Sequence, residues 1–143
     1  MKISANNVQS FEFEQEAFMR LALSLARRGL GNVAPNPAVG CVIVSKGQIV
    51  GRGWTMPGGR PHAEVVALKQ AGSLARGGEV YVTLEPCCHE GKTGPCAEVL
   101  VSAGIKKIYI STLDPDPRVN GNGVLFLKKN KISTSIGLLE KEA

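Results

Sequence analysis

Alternating helical and strand periodicities over 143 residues point to an α/β chain: a three-layer α/β/α sandwich around a mixed five-stranded sheet. Three observations carry this. The segments run in the order αββαβαβαβ. The two consecutive strands are joined by Lys46-Gly47, a short turn of hairpin type. Each later strand is reached through a helical crossover, which predicts a mixed sheet with helices on both faces.

The first helix is read over residues 14–28, where Phe18, Leu21, Ala22 and Leu25 share a face and Gly29 closes it. Residues 1–13 are read as a lead-in. Residues 29–37, rich in Gly, Asn and Pro, break the chain. Strands over residues 39–45 and 48–54 follow. A second helix begins near Pro61-His62 and runs to Ala71, with Val65, Val66 and Leu68 as its apolar side. Residues 79–84 are read as a strand, since Val80-Tyr81-Val82-Thr83-Leu84 has the β-branched and aromatic content of one. Residues 85–94 form a polar loop, and residues 95–103 a third helix between Pro95 and Gly104. A strand over 107–112, a loop over 114–123, a short helix over 124–129 and a strand over 132–136 complete the order. In such sheets ligands gather beyond the carboxyl ends of the strands. The loops after residues 84 and 112 lie there, with the start of the second helix.

No repeat or linker divides the chain, so residues 1–143 are read as one domain. Hydrophobic residues at 43% and charged residues at 20% exclude a disordered chain. The longest apolar run, residues 38–44, falls far short of the about 20 needed to span a bilayer. Residues 1–16 hold no apolar stretch of signal-peptide length, so a cytoplasmic location without a membrane partner is expected. The net charge of +5 is concentrated in residues 1–60, with seven basic and three acidic side chains, and would suit an anionic ligand. A nucleic acid is one candidate. Only seven aromatics and no long basic run argue against it.

Four cysteines are informative: Cys41, Cys87, Cys88 and Cys96. A disulfide framework suits an exported chain, not this one. Cys41 sits in Val39-Gly40-Cys41-Val42-Ile43-Val44, where a buried inert thiol is expected. The other three cluster around His89.

His62-Ala63-Glu64 and Pro86-Cys87 with Cys96 nine residues on form the main signal. Zinc takes imidazole nitrogen and thiolate sulfur in a tetrahedron, and a catalytic zinc keeps one position for water. One His with two Cys leaves that position open. Glu64, two residues from His62, is near enough to reach the water without binding the metal. His-x-Glu…Pro-Cys-x-x-Cys is the zinc deaminase pattern, with Glu moving the proton; here the cysteine spacing is longer. Singly, each residue has a plainer account: His62 as a capping residue, Glu64 as a first-turn acid favoured by the helix dipole. Their joint occurrence at the strand ends favours chemistry. Cys87, Cys88, His89 and Cys96 are all competent ligands, although adjacent cysteines on an extended backbone point to opposite faces. A closed four-ligand site would be structural, and would leave Glu64 without a role.

Pro61-His62-Ala63-Glu64-Val65 and the run from Tyr81 through Pro86-Cys87-Cys88-His89-Glu90-Gly91-Lys92-Thr93-Gly94-Pro95-Cys96 resemble the pyrimidine deaminases of riboflavin biosynthesis, the deaminase part of bifunctional deaminase–reductases. Ala34-Pro35-Asn36-Pro37-Ala38-Val39-Gly40-Cys41 and the stretch from Asp114-Pro115-Asp116-Pro117 to Gly123 add to the match, which spans about residues 16–143. The eight residues between the cysteines set this family apart from cytidine, deoxycytidylate and tRNA adenosine deaminases.

The resemblance implies a cytidine deaminase-like fold and one zinc per chain held by His62, Cys87 and Cys96, with Glu64 as proton shuttle. It implies a phosphoribosyl pyrimidine substrate: Asn36 on the pyrimidine, Lys92 and Thr93 facing the ribose phosphate, Asp114 on ribose hydroxyls, and Asp116 beside it. Homo-oligomers and a covalent or separate reductase partner are implied as well. Residues 137–143 resemble the stretch leading into a reductase domain, which suggests a single-function deaminase or a chain cut at that junction. No Gly-rich dinucleotide fingerprint occurs, so NADPH binding is not expected. Cys88 replaces a usual Ser or Ala, Thr55 a His that contacts substrate in many relatives, and Asp116 a usual Asn. A related small-molecule deaminase is the near alternative, and a nucleic-acid base deaminase a more distant one.

Overall fold

The computed structural model describes residues 5–34, 36–88, 96–117 and 120–143, with side chains from residue 12 onward. Its elements are α1 (Ala5–Arg27), β1 (Gly40–Ser45), β2 (Gln48–Trp54), α2 (Ala63–Ala71), β3 (Glu79–Leu84), α3 (Cys96–Ser102), β4 (Lys107–Thr112), α4 (Asn122–Lys129) and β5 (Ser133–Ile136). The order is the expected αββαβαβαβ. Three short 3-10 turns, Pro57–Gly59, Gly72–Ala75 and Glu140–Glu142, fall in segments read as loop or not assigned.

The sheet order is β2-β1-β3-β4-β5. β1 is antiparallel to both β2 and β3, whereas β3–β4 and β4–β5 are parallel. The mixed five-stranded sheet is therefore as expected. At the hairpin, Ser45 pairs with Gln48, and Lys46 and Gly47 take φ of 52° and 77°. Two positive φ values in a two-residue turn match the twist of the flanking strands.

Period-two alternation splits the core. Val42, Val44, Tyr81 and Tyr109 pack under α1 with Met19, Ala22 and Leu25. Cys41, Ile43, Val80, Val82, Ile108 and Ile110 face the other way, onto Ala63, Ala67, Leu100 and Leu127 of α2, α3 and α4. Both faces are thus covered, and each fully buried Val, Leu or Ile contributes about 1.5–3 kcal/mol. Cys41 is fully buried, and burial, with Glu64 second, pushes its thiol well above the usual range, so it is an inert core residue. The approach of α2 needs a residue without a side chain: a Cβ on Gly53 would lie 2.8 Å from Ala67 N and against Ala63 O.

The first helix is longer than its apolar face suggests, starting at Ala5 and not at residue 14, so most of the lead-in is helical. Asn6, Asn7, Gln9 and Ser10 break the amphipathic pattern without breaking the helix, as propensities are only a weak prior. The other boundaries differ from expectation by one or two residues, the ordinary fraying of ends. The carboxyl ends of β3 and β4 and the amino end of α2 lie at one edge of the sheet, as the parallel connections require. The described helices include none long and apolar enough to cross a membrane.

Candidate metal centre

His62 is the residue before α2. Its backbone is extended (φ −69°, ψ 160°) and its side chain makes no capping hydrogen bond, leaving the imidazole to point elsewhere. It points at two thiols. Its Nδ1 lies 3.3 Å from Cys96 Sγ and 3.9 Å from Cys87 Sγ, and the three donor atoms all fall within 4.8 Å of one another. Cys87 comes from the end of β3 and Cys96 opens α3, whose first amide donates to Cys87 Sγ at 3.2 Å.

These spacings fit a tetrahedral ion. With bonds of about 2.3 Å to sulfur and 2.05 Å to nitrogen, tetrahedral angles place N and S about 3.6 Å apart and two S atoms about 3.8 Å apart. The two measured N–S distances bracket that value. The electrostatics agree. The facing Cys96 thiol, then His62 and the Cys96 amide, hold Cys87 down to about 4 against the opposing effect of burial. The same contact with Cys87, then burial, pushes Cys96 up, and the contact with Cys87 raises His62. Soft thiol and imidazole donors converge here, the donor types a zinc site takes.

Glu64 sits in the first turn of α2, 4% exposed, facing the Cys96 thiol. Burial is the largest influence on its carboxyl and raises it, which suits a group that takes and returns a proton. Cys88, although adjacent to Cys87, stands outside the donor group and packs against the core. His89, Lys92 and Thr93 lie outside the described residues.

The remaining candidates sit in two loops at the same edge. Asn36 is half-buried, its backbone N–H donating to Val33 O at 2.8 Å. Asp114 follows β4, and its Oδ1 accepts from Asp116 N at 2.9 Å. Thr55 does not present a side chain to this edge. It is 1% exposed, and its Oγ1 accepts from Val39 N at 2.9 Å and donates to Pro37 O at 3.2 Å. The hydroxyl thus holds the chain that follows Asn36. Sequence reading missed Glu85, placed among the polar loop residues; its buried carboxylate accepts from Asp114 N, Gly121 N and Val124 N. An acid directly before Pro86-Cys87, at a strand's carboxyl end, was the available signal.

A family model, the cytidine and deoxycytidylate deaminase zinc-binding region, matches residues 13–112, and the chain belongs to that family of hydrolytic deaminases. Relatives specify the branch. The chain is 51% identical over 126 residues to the diaminohydroxyphosphoribosylamino-pyrimidine deaminase of Buchnera aphidicola subsp. Acyrthosiphon pisum, covering 88% of this chain and 86% of that protein. It is 50% identical over 129 residues to the riboflavin biosynthesis protein RibD of Bacillus amyloliquefaciens, covering 90% of this chain and 35% of that one. Among solved structures, Acinetobacter baumannii RibD superposes with a TM-score of 0.88 at 48% identity, over 92% of this chain and 37% of its own. A Thermotoga maritima protein described as a deaminase/5-amino-6-(5-phosphoribosylamino)uracil reductase gives 0.87 at 44%, over 92% of this chain and 38% of its own. The chain therefore falls in the riboflavin-biosynthesis branch of pyrimidine deaminases, and spans about a third of the RibD proteins it matches.

Proposed function

We propose that this chain deaminates 2,5-diamino-6-(5-phosphoribosylamino)pyrimidin-4-one at C2 with water, giving 5-amino-6-(5-phosphoribosylamino)uracil and ammonia. The observation that carries this reading is the convergence of His62, Cys87 and Cys96 beside the buried Glu64. One zinc per chain is the cofactor, held by those three residues. Bound there, zinc supplies Lewis-acid chemistry and lowers the pKa of a water toward about 7.

The chain's own residues do the rest. Glu64 takes the proton from the attacking water, delivers it to the ring nitrogen next to C2, and passes the second to the departing amine. Desolvation around Glu64 keeps its carboxyl able to hold a proton between those transfers. Asn36 orients the pyrimidine by hydrogen bonding, and Asp114 the ribose hydroxyls. Lys92 and Thr93 receive the phosphate, Lys92 as a point charge. Asp116 stands beside Asp114, its amide tied to that carboxylate.

One relative supports a further assignment, a reductase partner. A reductase acting on the product, fused or separate, is the functional partner, in keeping with the double description of the Thermotoga maritima protein. The enzyme works in the cytoplasm as a homo-oligomer, without nucleic acid or membrane. The net charge of +5 needs no polymer, because the substrate is an anionic phosphoribosyl compound.

The test is ammonia release by zinc-loaded protein from the diaminopyrimidine nucleotide, with cytidine, GMP and tRNA as comparators. Release from the first alone supports the reading; release from a comparator and none from the first assigns a related deaminase instead.

A further inference from the structure

Glu85 follows β3 and stands two residues before Cys87, with its side chain 2% exposed. A buried carboxylate is expensive unless hydrogen bonds replace the lost water. Here they come from one segment. Oε1 accepts from Asp114 N at 3.2 Å and from Gly121 N at 3.0 Å, and Oε2 accepts from Val124 N at 3.0 Å in the first turn of α4. These donors mark the start of the loop after β4, its end, and the entry to the next helix.

The fastening is tight on both sides. Glu85 N donates to Thr112 O at 3.0 Å, so the strand ends are joined at the backbone too. A Cβ on Gly123 would meet Pro86 O and come within 3.1 Å of Glu85 Cγ and Oε2. Within the loop, Asp114 O accepts from Asn120 Nδ2 at 3.0 Å, and Asp114 Oδ1 accepts from Asp116 N at 2.9 Å. The Asp114 side chain therefore sits in a small framework whose hub is the Glu85 carboxylate.

We infer that Glu85 is a positioning residue, fixing the loop that carries Asp114 and Asp116 against the strand end that carries Cys87. The metal side and the ribose side of the site are thereby held at a set separation. This rests on the proposed ribose role of Asp114. The chemistry explains the residue type: a carboxylate has only acceptors and can serve three amides. A glutamine would turn its own NH₂ toward Val124 N–H or toward the other two donors. An aspartate would fall one methylene short.

The experiment compares wild type, E85Q and E85D, all zinc-loaded, by steady-state kinetics, zinc content and amide exchange. Amide exchange at Asp114, Gly121 and Val124 speeds up in both variants if Glu85 fastens the loop. KM for the phosphoribosyl substrate rises about tenfold in E85Q while kcat stays within about threefold, as loss of a charge-assisted hydrogen bond predicts. E85D shows a rise in the same direction, and zinc content stays at one per chain in both.

Unchanged exchange and unchanged KM in folded variants overturn the inference. So does loss of zinc, which would assign Glu85 to the metal side, and so does failure of both variants to fold, which would assign it to stability alone. Wild-type protein that releases no ammonia from this substrate defeats the proposed function; amide exchange then still decides whether Glu85 fastens the loop.

Discussion

Gly59 lies directly against the side chain of Asn36: a Cβ at residue 59 would come within 2.8 Å of Asn36 Cγ and run into its Nδ2. Gly59 also takes φ of +87°, where a side chain is strained for its own reasons. The neighbouring Gly58 N donates to Asn32 O at 2.8 Å, so the turn over Pro57–Gly59 and the loop before β1 form one surface. Gly59→Ala is expected to displace Asn36, raising KM about tenfold or more with zinc content unchanged, and to cost about 1–3 kcal/mol of stability. Kinetics and metal analysis on one preparation check it; an unchanged KM would remove Asn36 from the substrate site.

Replacing Glu64 by Gln keeps the shape of the side chain and removes its capacity to carry a proton. Turnover is expected to fall about 10²–10⁴-fold while zinc stays bound. Appreciable turnover by the zinc-loaded variant would move the proton chemistry to another group.

The two adjacent cysteines separate cleanly. Cys87→Ser should release zinc, since Cys87 Sγ belongs to the donor group, whereas Cys88→Ser should hold it with near-normal activity. Metal analysis after dialysis against a mild chelator decides. Equal zinc loss in both would place Cys88 among the ligands.

An alkaline limit on stability follows from Tyr81. Its ring is 2% exposed and stacks on Tyr109 with centroids 4.6 Å apart and planes 8° from parallel. Burial, then the neighbouring Tyr109, pushes its phenol well above the usual value. The neutral form is favoured in the fold, so this contribution is fully present below about pH 10, the unfolded value, and is lost as pH rises toward the folded one. Thermal melts of wild type and Tyr81→Phe should agree in slope below pH 10 and diverge above it, the variant falling less. Parallel curves across the alkaline range would contradict the assignment.

Much of this molecule could be read from residue order. The β1–β2 hairpin follows from the Lys46-Gly47 turn and the parallel β3–β4 and β4–β5 pairs from the helical crossovers, whereas the place of β3 beside β1 does not. His62, Glu64, Cys87 and Cys96 stand out because their chemistry is uncommon in combination. What sequence concealed was the support. Glu85 looked like one more polar loop residue, since its hydrogen bonds run to residues 114–124, close only after β3 and β4 pair. Thr55, which the family resemblance places at a substrate-contacting position, is a buried fastener of Pro37 and Val39. The amino-terminal extension of α1 was hidden because its Asn-rich start lacks an apolar stripe.

On the proposed function, water replaces the C2 amine at the centre formed by His62, Glu64, Cys87 and Cys96. Single-turnover reaction of zinc-loaded protein with the diaminopyrimidine nucleotide in heavy-oxygen water tests this most directly. One ammonia released and one solvent oxygen in the uracil product per turnover are expected, both forming about 10²–10⁴-fold more slowly in Glu64→Gln. Release of ammonia without oxygen from water, or an equal rate in the variant, would contradict it.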